Sequence, residues 1–136
     1  MGYVKRQAYE AANRTSAQVY EEIKAAERTE GTAGFWWCGR FAMHRWPMPI
    51  QLLDVDLTAY DHVTICTPIW VFSLASPVRE FCRLAAGRIK AADYVLVHHT
   101  AGRYASVAAE MDGLLGIRHT SSVSVRCRTG AFEICE

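Results

Sequence analysis

The sequence predicts an α/β domain: a doubly wound, mostly parallel sheet with helices on both faces, three layers in all. Two observations predict it. Helical and strand periodicities alternate along the chain, the pattern of strand–helix–strand crossovers. Tyr94-Val95-Leu96-Val97 is a continuous apolar run, as expected of a strand buried on both faces, whereas Val123, Val125 and Cys127 alternate with polar residues, as expected of an edge strand. The 136 residues, 51% of them hydrophobic, fit a single domain over 1–136 with one core.

Val4, Ala8, Ala11 and Ala12 recur at helical spacing within Tyr3–Asn13. Gln18–Ile23 reads as a short strand. Gly31–Pro49 holds glycine, proline and most of the tryptophans, and reads as a long ordered loop with a helical turn or two around Cys38–His44. Val63–Cys66 is a strand ending at Pro68. Pro77 opens a helix, where its missing N–H costs little, and Val78, Phe81, Cys82 and Ala85 give that helix an apolar face closed by Gly87. After Tyr94–Val97 a further helix carries Tyr104, Val107, Ala108, Met111 and Leu115 in register and ends at Gly116. The chain contains no internal repeat, low-complexity tract or linker.

The formal charge of +1 gives no electrostatic footprint for nucleic acid. Arg40, His44 and Arg45 form one small basic cluster, and Arg118, His119, Arg126 and Arg128 another, both read as solvated charge. No apolar stretch reaches the roughly 18 residues of a membrane span and no leader opens the chain, so the expectation is a cytoplasmic protein with no membrane partner. The five cysteines lack ligand-like spacing and are expected to be reduced thiols, with Cys66 and Cys82 as packing residues. No metal site is expected. His98 and His99 are neighbours and should point to opposite sides of a strand. No hydrolytic triad or carboxylate pair stands out, Asp54 and Asp56 flanking a turn-like stretch, so no catalytic residue is assigned.

Sheets of this kind bind ligands beyond the carboxyl ends of their strands. Two segments leave such ends. Thr67-Pro68-Ile69-Trp70 carries an indole whose broad face suits stacking on a planar heterocycle, or which plugs the sheet end as core. Thr100-Ala101-Gly102-Arg103-Tyr104 precedes a helix whose first amides favour electron-rich atoms, with Gly102 allowing close approach and Tyr104 offering a second aromatic wall.

At these residues the chain resembles the flavodoxin family. Leu57-Thr58-Ala59-Tyr60-Asp61-His62-Val63-Thr64-Ile65-Cys66-Thr67-Pro68-Ile69-Trp70, followed by Pro77 and the Val78–Phe81 helix, is similar to that family's passage from an aromatic–aspartate pair through a strand to a proline and a tryptophan. Gly34-Phe35, Cys38-Gly39 and Ala42-Met43 resemble the subgroup with a longer second loop. The resemblance implies a flavodoxin-like parallel sheet carrying FMN for electron transport. It places Thr67, Pro68, Ile69 and Trp70 on the first flavin-flanking loop and Thr100, Ala101, Gly102, Arg103 and Tyr104 on the second.

The resemblance also exposes departures. The family opens with a strand and a hydroxyl-rich phosphate loop, and only Met1-Gly2-Tyr3-Val4 stands where that loop ends. The expectation is a fold lacking its usual first strand, with the natural start upstream, and with strand closure or a second chain supplying the lost ladder. The short tail Ala131–Glu136, in place of a closing helix, suggests a homodimer. The near-neutral charge gives no support for the acidic docking face by which the family meets redox partners. The leading expectation is therefore an FMN-binding electron carrier or flavoprotein oxidoreductase component. Its rival is an interaction module that kept the fold and lost the flavin. A nicotinamide-dependent reductase of related fold would need a hydride-donor pocket that the sequence does not show.

Overall fold

The structure is a computed structural model, and it describes residues 2–15, 22–24, 36–38, 40, 41, 43–51, 53, 55–100, 102–128 and 131–135. Helix α1 (Gly2–Thr15) opens the chain. Strand β1 (Val63–Trp70) follows, then the short β2 (Ser73–Leu74) and helix α2 (Ser76–Ala85). Strand β3 (Ala92–His98), helix α3 (Ala105–Leu115) and strands β4 (Ser121–Arg128) and β5 (Ala131–Cys135) complete it. The sheet order is β2-β1-β3-β4-β5, with β1, β3 and β4 parallel and the two outer strands antiparallel to their neighbours.

Each predicted helix has a local cause. Pro77 sits in the first turn of α2, and Val78, Phe81, Cys82 and Ala85 lie buried along one side at i, i+3, i+4 and i+7. Helix α3 buries Val107, Ala108, Met111 and Leu115, and stops where Gly116 turns left-handed (φ 76°) and returns its N–H to the Asp112 carbonyl at 2.9 Å. Its start is less ordinary, because the cap Tyr104 is itself left-handed at φ 51° and makes no side-chain cap bond.

The sheet is covered on both faces, as predicted. Ile65, Tyr94 and Leu96 pack with α2 and α3 in the larger core cluster. Val95, Val97 and Val125 point the other way, with Val4 of α1, Cys66, Val123 and Phe132 against them. Tyr94 is fully buried, and its hydroxyl donates to Asp112 Oδ1 at 2.8 Å, so the interior phenol is not left unpaired. Arg79 of α2 reaches Glu110 of α3 with Nε (3.3 Å) and Nη2 (3.1 Å), tying the two helices of that face together.

The structure corrects several expectations. Strand β1 does not stop at Pro68 but runs to Trp70. A proline is tolerated there because the side of β1 away from β3 meets no described strand until β2 pairs with Ile69 and Trp70. Strand β4 is not an edge, because Ala131–Cys135, expected to be a short tail, folds back on it as β5. Among the described residues β1 is the first strand. The predicted strand Gln18–Ile23 lies mostly outside them, and Glu22–Lys24 has no strand assignment, although the Lys24 carbonyl accepts from Gln51 N at 2.7 Å. In the long loop, residues 36–38, 40, 41 and 43 are helical, and Met48 is fully buried with its N–H on the Ser76 carbonyl.

Candidate functional site

The parallel register sets Pro68 beside Val97, so β1 and β3 release their chains at the same end of the sheet. That brings together the two segments singled out in the sequence. Ile69, Trp70 and Tyr104 all pack against the larger core cluster, and none of the three is fully buried.

The first segment is strand rather than loop. Thr67 has no exposed surface and donates its hydroxyl to the Pro68 carbonyl at 2.9 Å, so its side chain is engaged within the strand end. Pro68, Ile69 and Trp70 are half-buried. The true loop is the turn beyond them. Val71 (φ 48°) and Phe72 (φ 58°) are both left-handed, bridging Trp70 to Ser73, whose hydroxyl donates to the Trp70 carbonyl at 3.0 Å. Two positive φ values in a two-residue hairpin are the geometry that Asn-Gly normally supplies. Here a β-branched and an aromatic residue are held in it, exposed by 52% and 70%. Both residues thus hold a costly backbone conformation while their apolar side chains stand exposed.

The second segment is fastened by side chains. The Thr100 and Tyr104 hydroxyls bond to each other across the segment, and the Tyr104 ring tilts over the buried His98 ring at 4.7 Å. His98 Nδ1 contacts the Thr100 carbonyl at 2.6 Å, and Ser124 Oγ reaches the Gly102 carbonyl at 3.1 Å. Gly102 and Arg103 are exposed, Tyr104 is half-buried, and Ala101 lies outside the described residues. Sequence reasoning missed His98 and Ser124 as supports of this segment. It did anticipate that the adjacent histidines diverge: His99 faces Tyr3 of α1, ring centroids 5.8 Å apart, and the Cys127 carbonyl at 3.2 Å.

The first turn of α1 thus opens beside the second segment. Gly2, Tyr3 and Val4, which the resemblance sets where a phosphate loop would end, are helical, and no acidic residue stands in that turn. Backbone N–H groups of a first helical turn have no partner within the helix, so they suit an anion, but no serine or threonine stands there to assist them. The residues therefore fit the ring of a flavin better than its phosphate.

Other candidate groups have structural work. Asp56 caps the 3-10 turn Leu57–Ala59, accepting from Thr58 N at 3.1 Å and Thr58 Oγ1 at 2.6 Å, whereas Asp54 lies outside the described residues. Arg40 and His44 stack on Trp46, and His119 pairs with Asp112 at 2.8 Å, so these three side chains are engaged within the chain. Burial pushes the Cys82 thiol up to about 12 and raises those of Cys38 and Cys127, which keeps them protonated and poor nucleophiles. Among the described residues no group of His, Cys, Asp and Glu could hold a metal.

Comparison with solved structures bears on this geometry. The crystal structure of a flavoprotein in complex with FMN from Lactobacillus acidophilus NCFM superposes with a TM-score of 0.65, over 89% of this chain and 87% of that one. The fold is flavodoxin-like. At 14% identity the likeness extends to the flavodoxin-like architecture and not to particular residues. No family model matches the sequence, and no curated protein matches it. Among the described residues of this flavodoxin-like chain, no helix is long and apolar enough to cross a membrane.

Proposed function

We propose that the chain is an FMN-binding, flavodoxin-like electron-transfer protein or flavoprotein oxidoreductase component. The observation that carries this reading is the convergence of Trp70, the strained Val71–Phe72 turn and Tyr104 at the shared carboxyl end of β1 and β3. Pro68, Ile69 and Trp70 would flank one side of the ring, and Thr100, Gly102, Arg103 and Tyr104 the other, with the phosphate toward the first turn of α1. That the structural neighbour is a complex with FMN supports the choice of flavin. When bound, the flavin supplies one- and two-electron chemistry, while the chain's residues bind it, orient it and exclude water. A cytoplasmic setting and a redox partner protein belong to the same reading. We further propose a homodimer formed through β5, whose outer edge is open among the described residues and carries Ile134 at 66% exposure.

A second reading is an interaction module without flavin. What favours it is the α1 start, where Tyr3 and Val4 occupy the first turn in place of serine or threonine. A visible spectrum of the purified chain, before and after incubation with excess FMN and desalting, separates the two. Retained flavin bands with quenched fluorescence support the carrier, and loss of that quenching in Trp70→Ala places the ring. A colourless chain that cannot be loaded supports the module.

A further inference from the structure

We propose that His98 and Ser124 form a proton-directed switch that sets whether the carbonyl of Gly102 is open or capped. The argument is a count of protons. His98 is 4% exposed, with Nδ1 at 2.6 Å from the Thr100 carbonyl and Nε2 at 2.5 Å from Ser124 Oγ, which itself lies 3.1 Å from the Gly102 carbonyl. A carbonyl only accepts, so Nδ1 carries a hydrogen. The serine hydroxyl has one hydrogen to give. In the neutral ring Nε2 is an acceptor and takes that hydrogen, and Gly102 receives none. When the ring gains a proton from solvent, Nε2–H becomes the donor to Ser124 Oγ. The hydroxyl then turns its own hydrogen onto the Gly102 carbonyl. One proton is taken up and no covalent bond other than the new N–H is made.

The surroundings set the resting position. Burial holds the His98 pKa below the usual 6.5, the Thr100 carbonyl opposes that shift, and Arg126 on β4 and His99, the residue after β3, reinforce it. From the loop, Tyr104 packs its phenol ring on His98. The first turns of α2 and α3 bring no carboxylate, and Cys66 of β1 belongs to the cluster on the opposite face of the sheet. At neutral pH the switch is therefore open. The Gly102 carbonyl, on an exposed residue, then receives no hydrogen from Ser124, and in the proposed switch it accepts from a ligand N–H. The ligand half of this inference rests on the flavin reading, since an isoalloxazine edge carries such a donor.

Nuclear magnetic resonance on the flavin-free chain tests the switch. Above neutrality the His98 ring should be in its Nδ1–H form. On acidification the Gly102 carbonyl 13C shift should move with the same midpoint as the His98 ring nitrogens. In Ser124→Ala the ring should still titrate while the Gly102 carbonyl stays still. A Gly102 signal indifferent to His98, or one that follows it equally in Ser124→Ala, overturns the switch. The wild-type titration alone can do so if the variant fails to fold. In FMN titrations the affinity of the wild type should fall roughly threefold to tenfold across the His98 transition, the factor of one net hydrogen bond, because capping one lone pair weakens the carbonyl without abolishing it. Ser124→Ala should lose that dependence, and a wild-type affinity flat in pH removes the ligand role. A chain that takes up no FMN but shows the coupled shifts keeps the switch and loses only the flavin reading.

Discussion

Arg79 is 5% exposed, and although Nε and Nη2 reach Glu110, its Nη1 finds no acceptor. Breaking a buried ion pair costs about 3–5 kcal/mol, but the Glu110 side chain keeps 30% of its surface and water can reach it once freed. Arg79→Ala should therefore lose about 2–3 kcal/mol in urea unfolding. Arg79→Met fills the space and removes the orphaned N–H, so it should lose about 1 kcal/mol or less. His98 gives a pH dependence of defined sign. Its folded pKa lies below the unfolded 6.5, so the unfolded chain takes up the proton first as pH falls. Stability from this group is full above the unfolded value and is lost as pH drops through that window toward the folded one. The urea midpoint of wild type should fall between pH 7 and pH 5 by more than that of His98→Gln. The divergence of His98 and His99 was legible from strand alternation alone. The partnership of His98 with Ser124 was not, because it depends on the β3–β4 register that sets Leu96 beside Ser124, across 28 residues of sequence separation.

At the scale of elements, helices α1, α2 and α3 were readable because their apolar positions repeat at helical spacing, and in α2 and α3 proline or glycine also marks an end. The β1–β2 hairpin was not. Nothing in Trp70-Val71-Phe72-Ser73 advertises a two-residue turn, since the residues that favour positive φ are absent. That mismatch yields a prediction. Val71→Asn with Phe72→Gly should raise stability by about 1–2 kcal/mol by relieving the strain, read as a higher urea midpoint. Under the flavin reading the same double change should lower FMN retention, because two exposed apolar side chains are lost from the rim. Strand β5 was equally hidden. Ala131–Cys135 is too short to show a period of its own, and its partner β4 supplies the register.

For the whole molecule, the layered architecture was legible and the boundary of the sheet was not. Buried runs such as Tyr94–Val97 specify a strand covered on both sides, whatever covers it. Which strands lie outermost depends on pairing between distant segments, and there the antiparallel additions β2 and β5 escaped notice. The outer position of β5 makes association testable. Sedimentation equilibrium should give a dimer for the wild type and a monomer for Ile134→Lys, which sets a charge on the open edge. A wild-type monomer at the same concentration would remove the dimer proposal and leave the fold untouched.

The edge-on contact of Tyr3 with both His99 and Phe132 has a practical consequence. The amino end, the second loop and the returning hairpin form one corner, so a fluorophore joined just ahead of Gly2 would sit within reporting distance of that loop. Such a label would act as a built-in gauge of ligand arrival. For the same reason, an affinity tag is better carried elsewhere when binding is being measured.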